Sequence, residues 1–123
     1  SIFFTFWGLN VIKKKHGPAV KKTLTEKMFA HMLPKSSDSL ALSKMNMMGM
    51  GSKMIRGIMK KKNIDSLESL IRQAMDNGVE FIACQMTMDM MGIKKEELLD
   101  GVTVGGVASY MQKAEEAGVN LFI

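Results

Sequence analysis

Residues 78–89 read Gly78-Val79-Glu80-Phe81-Ile82-Ala83-Cys84-Gln85-Met86-Thr87-Met88-Asp89, and they carry the chain out of one helix, through a strand and toward another helix. Upstream, Leu67, Leu70, Ile71, Ala74 and Met75 recur with a 3.6-residue period, which predicts a helix with one buried face. Asp65 and Ser66 precede it, and Asp65 with Glu68 three residues later resembles a capping box. Gly78 is a natural C-terminal stop. Val79 to Cys84 then reads as a mostly apolar strand. The same joint recurs downstream. Val107, Tyr110, Met111 and Ala114 show helical spacing, Gly118 ends it, and Val119-Asn120-Leu121-Phe122-Ile123 forms a last strand. A repeated helix, glycine and Val-led strand is the rhythm of an α/β domain with a parallel sheet.

Working back toward the start, Ile2-Phe3-Phe4-Thr5-Phe6-Trp7 predicts a buried strand ended by Gly8, with helices over 9–15 and 23–33 and a loop over 34–39. Met50, Met54, Ile55, Ile58 and Met59 form an apolar stripe opposite Lys53, Arg56 and Lys60, an amphipathic helix that ends in Lys60-Lys61-Lys62. That face is expected to pack inside the protein or against a partner. The strands number three, over 2–7, 79–84 and 119–123, with a short fourth near Val102–Val104. A parallel sheet needs both faces covered and usually more strands than this. Either another chain completes the sheet, or a further strand and helix upstream are absent from this chain, and the second is expected.

The composition limits the class. At 123 residues and 46% hydrophobic, the chain suits one domain, 1–123, with a packed core, and intrinsic disorder is excluded. One cysteine excludes a disulfide framework and a cysteine-rich zinc site, and it fits a reducing compartment. The longest apolar run, around Ile2–Gly8, is far short of the ~20 residues that span a bilayer. With no secretory pattern visible either, a cytoplasmic location is expected. Seventeen Lys+Arg against 12 Asp+Glu favour anionic partners in general. No nucleic acid is expected among them, because the aromatic residues are not interleaved with the basic clusters.

Cys84 closes a strand just ahead of a helix start. Sites in open α/β sheets form beyond the carboxyl ends of the strands, where free N–H groups and the helix dipole favour an anion. A nucleophilic or sulfur-carrying thiol fits there, and so does a small buried hydrophobe. His16 and His31 lack metal-ligand spacing and read as surface or packing residues. No Walker loop or GxGxxG fingerprint is present, and Gly105-Gly106 and Gly49-Met50-Gly51 read as turns. No metal site and no cofactor are expected. The 14 methionines cluster at Met45, Met47, Met48, Met50, Met54 and Met59 and again at Met86–Met91. They line a core or an interface, or, as soft ligands, hold Cu(I).

The segments Phe3-Phe4-Thr5-Phe6-Trp7-Gly8-Leu9, Leu42-Ser43-Lys44-Met45-Asn46 with Gly49, Gly51, Lys53 and Met54, and Phe81-Ile82-Ala83-Cys84-Gln85-Met86 with Met91-Gly92 resemble the DsrE/DsrF/DsrH-like superfamily, in its peroxiredoxin-like DsrE branch. Lys94-Lys95-Glu96-Glu97-Leu98 and Leu121-Phe122-Ile123 also fit, so the resemblance runs along essentially the whole chain. It implies a three-layer α/β/α fold with a mainly parallel sheet, assembly into trimers or hexamers, and sulfur handling through a cysteine persulfide. Cys84 takes that role. Rhodanese-type or other sulfurtransferases are the implied partners, and family members begin with a further strand and helix. Some relatives carry a second cysteine in the Phe-x-Phe-Trp strand, where this chain has Thr5, and no resolving cysteine is present to complete a peroxidase cycle.

On this reading N–H groups near Gln85, Met86 and Thr87 hold the bound sulfur, and Trp7 and Gly8 wall the pocket from the neighbouring strand end. The competing reading is a non-catalytic oligomeric scaffold or membrane-surface adaptor that works through the Met-rich basic helix.

Overall fold

A computed structural model describes residues 1–41 and 44–123, with the side chains of residues 44–46 outside the description. Four strands form one sheet, β1 (Ile2–Phe4), β2 (Phe81–Cys84), β3 (Thr103–Gly105) and β4 (Leu121–Phe122), in the order β3-β2-β1-β4. Every pairing is parallel. Helices α1 (Leu24–Met32), α2 (Met50–Lys61), α3 (Leu67–Asp76), α4 (Gln85–Met91) and α5 (Val107–Glu116) connect them. The result is the three-layer α/β/α arrangement expected from the sequence.

Strand alternation sorts the core into two layers. Phe4, Phe81 and Ala83 face one side, where they meet Leu9, Ile12, Ile71, Met88, Ile93 and Leu98. Phe3, Ile82 and Cys84 face the other, against Tyr110 of α5. Ring contacts lock both sides: Phe4 and Phe81 lie 5.2 Å apart, and Phe3 stacks on Tyr110 at 4.9 Å.

Three expectations change in the structure. The first strand stops at Phe4 because Phe6 turns the backbone at φ +38° and the Gly8 N–H donates to the Thr5 carbonyl, opening a 3-10 helix over Phe6–Ile12. That segment replaces both the end of the expected strand and most of the helix expected over 9–15. Helix α3 is capped by Ser66, whose Oγ accepts from the Ser69 N–H, and not by Asp65. Glu68 reaches across to α2 instead, where it accepts from both terminal nitrogens of Arg56 at 3.1 and 3.3 Å. The apolar stripe of α2 is also less covered than expected, with Met50, Met54, Ile55 and Ile58 all exposed.

Helix α1 follows its sequence signal closely. Thr23 and Glu26 form a reciprocal capping box, and Glu26 also accepts from Lys94 Nζ at 3.1 Å, which ties α1 to the segment after α4.

Candidate functional site

The carboxyl ends of β1, β2 and β3 converge on Cys84. In register, Ala83 lies between Phe4 and Val104, and Cys84 pairs with Gly105. Thr5, one residue past Phe4, is therefore level with Cys84 on the other side. The thiol faces the α5 side of the sheet among Phe3, Ile82 and Tyr110, and the residue is 3% exposed.

Two helices begin beside this thiol. Cys84 is itself the N-cap residue of α4, and its side chain makes no cap hydrogen bond. Gly106, next to the Gly105 that pairs with Cys84, is the N-cap residue of α5, which also lacks a side-chain cap. First-turn N–H groups have no intrahelical acceptor, so helix-start donors lie on two sides of the cysteine. A Cβ added at Gly106 would meet nothing within 4 Å, so the backbone there borders open space.

Large apolar side chains lie exposed on the segments that follow β1 and β2. Phe6, Trp7, Met86 and Met90 are 55%, 59%, 62% and 59% exposed. Phe6 holds its exposed ring with a left-handed backbone, an arrangement that bulky residues rarely adopt. The turn after β1 is pinned to β4: the Thr5 N–H donates to the Ile123 carbonyl at 2.7 Å, and a Cβ at Gly8 would lie 2.6 Å from that same oxygen. Gly8 is the residue that allows this approach.

The other residues expected at the site divide. Gln85 is exposed, and its amide donates to Asp89 Oδ1 at 3.0 Å. Thr87 is fully buried, and its Oγ1 has no hydrogen-bond partner among the described residues. Its side chain therefore lies behind the site, and only its backbone belongs to the first turn of α4. Asn10, in the 3-10 helix that packs on α4, donates through Nδ2 to the Trp7 carbonyl at 2.9 Å, while its buried Oδ1 has no partner among the described residues. Sequence reading missed Asn10, since a single polar residue in an apolar stretch carries no pattern of its own. It also missed the convergence of Gly105-Gly106 on Cys84, because strand register is not written in turn glycines.

Elsewhere, a cavity of about 530 Å³ is lined by Lys13, Lys15, Asp38, Arg56, Glu68 and Arg72, and one of about 670 Å³ lies between α2 and α3; neither is lined by Cys84. Burial pushes the Lys13 ammonium below its ordinary range; it donates to the Pro34 carbonyl at 3.0 Å. His16 and His31 are both exposed. Among the described residues, no three His, Cys, Asp or Glu side chains are grouped to hold a metal. Of the methionines considered as soft ligands, the Met45 side chain lies outside the described residues, as do Leu42 and Ser43 of the Ser-Lys-Met-Asn segment. No helix among the described residues is long and apolar enough to cross a membrane.

Comparison with known proteins agrees with the fold. The uncharacterised protein YrkE of Bacillus subtilis is 50% identical over 123 residues, covering 100% of this chain and 77% of that protein. The sulfur carrier protein DsrE2 of Allochromatium vinosum is 36% identical over 123 residues, covering 99% of this chain and 77% of its own length. Residues 1–122 match the DsrE/DsrF/DrsH-like family, and the chain belongs to that family.

Proposed function

We propose that this protein is a sulfur carrier that holds sulfane sulfur as a persulfide on Cys84 and passes it to an acceptor thiol. The observation that carries the reading is the placement of the only thiol in the chain. It stands at the carboxyl end of β2, between two helix starts that lack a side-chain cap. Membership of the family and the likeness to a relative named as a sulfur carrier support it.

The step balances without an outside oxidant. The Cys84 thiolate attacks the outer sulfur of a donor persulfide, R–S–S⁻; the donor's S–S bond breaks and R–S⁻ leaves with the electron pair. The product, Cys84–S–S⁻, then gives its outer sulfur to an acceptor thiolate by the same exchange. Amides of α4 and α5 stabilise the terminal sulfur anion, and the Phe6–Trp7 and Met86–Met90 rim excludes water from it. Rhodanese-type proteins are the natural donors or acceptors, and the carrier acts in the cytoplasm as a homo-oligomer.

Cys84 is covered in the resting fold, so sulfur reaches it when that apolar rim opens. Intact-mass spectrometry after incubation with polysulfide tests the assignment. An adduct of ~32 Da, one sulfur atom, is expected on the wild type and absent from Cys84→Ser and from thiol-blocked protein. An unmodified wild type, with its thiol slow to alkylate until denatured, would leave Cys84 as core packing and end this reading.

A further inference from the structure

A second surface has no part in the chemistry of Cys84. Residues 39–64 contain Lys44, Lys53, Arg56, Lys60, Lys61 and Lys62 and no acidic residue. Helix α2 occupies the second half of this stretch. Its inner side is fixed by Arg56, which is paired with Glu68, and by Met59, which is half-buried. On the outer side Met50, Met54 and Ile58 follow at i, i+4 and i+8, one line along the helix. They remain 69%, 63% and 42% exposed. Lys53 and Lys60 run along one flank of that line and Lys61-Lys62 close its C-terminal end.

We propose that α2 is a membrane-surface anchor that lays this stripe into the headgroup region of an anionic lipid bilayer. None of Met50, Met54 and Ile58 lines either of the two cavities described above. The stripe's charges are all of one sign, and it is built from flexible methionines. An amphipathic helix with an apolar line and a lysine-rich rim matches a negatively charged interface, where the side chains sink a few ångströms and the ammonium groups stay at headgroup level. A second copy docked symmetrically on the same face would set lysines against lysines, so charge complementarity argues against self-association there.

Co-sedimentation of the full chain with vesicles tests the proposal, using phosphatidylcholine alone and phosphatidylcholine mixed with phosphatidylglycerol. Binding to the mixed vesicles alone is expected, weakening as salt rises. Replacing Lys60, Lys61 and Lys62 together by Gln is expected to weaken it on the order of 100-fold, at about 1 kcal/mol per basic residue near the surface. Met54→Glu is expected to abolish it with the circular dichroism spectrum unchanged. Equal binding to both vesicle types, no binding to either, or full binding by the lysine variant would overturn the proposal. A change of oligomeric state on Met54→Glu in the absence of lipid would overturn it too, assigning the stripe to a second copy. Cys84→Ser is expected to bind the vesicles as the wild type does, which separates this surface from the sulfur chemistry.

Discussion

Phe6 concentrates the tension between fold and site in one residue. Its φ of +38° is a conformation that costs a bulky side chain about 1–3 kcal/mol. Little of its ring is buried in return, since the residue is 55% exposed. The turn it makes ends β1 at Phe4, level with Ala83 and one residue short of Cys84. Glycine adopts this backbone freely, at the cost of a more flexible unfolded chain. Phe6→Gly is therefore expected to be as stable as the wild type, or up to about 1 kcal/mol more stable in urea denaturation, while transferring sulfur to a protein acceptor more slowly. Phe6→Ala keeps the strain and loses the ring, so it is expected to be the less stable of the two. The reverse order would show that the ring's packing governs the position. Composition cannot reveal such a residue. In the sequence Phe6 reads as one more apolar position in a strand, and only the backbone angle sets it apart.

At the level of elements, legibility follows periodicity. Helix α3, strand β2 and helix α5 are readable from the 3.6-residue and strand patterns, and Cys84 falls at the strand end where it is expected. The segment after β1 is not legible, because a 3-10 helix over Phe6–Ile12 has neither period. The cap of α3 is misassigned for a related reason: Asp65 and Ser66 are both good caps, and tertiary pairing of Glu68 with Arg56 decides between them. Close approaches between elements are also invisible in sequence. Gly92 ends α4 in a left-handed conformation at φ +65°, and a Cβ there would lie 2.5 Å from both Cβ and Cγ of Glu26 on α1. Gly78 has a similar φ of +80° with nothing within 4 Å. Gly78→Ala is thus expected to cost about 1 kcal/mol, the left-handed penalty alone. Gly92→Ala is expected to cost about 2–3 kcal/mol, since it must also push α1 off α4. Equal losses in the two variants, measured by urea denaturation, would mean that α1 yields to the clash at no cost.

Across the whole molecule, α2, like α1, has no buried residue, unlike α3, α4 and α5. Its apolar face is mostly uncovered, and ion pairs contribute to its attachment beside the hydrogen bonds from Ser52 to the Leu40 carbonyl and from Arg56 to the Ser37 carbonyl. Glu68 on α3 accepts from Arg56 on α2 and from the Ser37 hydroxyl at 3.1 Å, while Asp38 accepts from Lys15 Nζ at 2.7 Å and from the Ser36 hydroxyl. The Arg56 guanidinium holds the Glu68 carboxyl at about 2, and hydrogen bonds from Lys15 and Ser36 hold Asp38 at about 2. Both values lie below the unfolded ones, so the stabilisation is complete above the ordinary carboxylate range and is lost as pH falls through it toward 2. Glu68 is about one-third exposed, so solvent screening reduces its share to about 1 kcal/mol. That is small for a core and large for a helix with no buried residue. Between about pH 5 and pH 2, the amide signals of α2 in a nuclear magnetic resonance titration are expected to lose dispersion before those of β2 do. Glu68→Gln is expected to loosen α2 already at neutral pH and to flatten this acid transition, leaving the strand signals unmoved. Simultaneous loss of α2 and β2 signals would mean that α2 shares the cooperativity of the core, with the ion pairs incidental to its attachment.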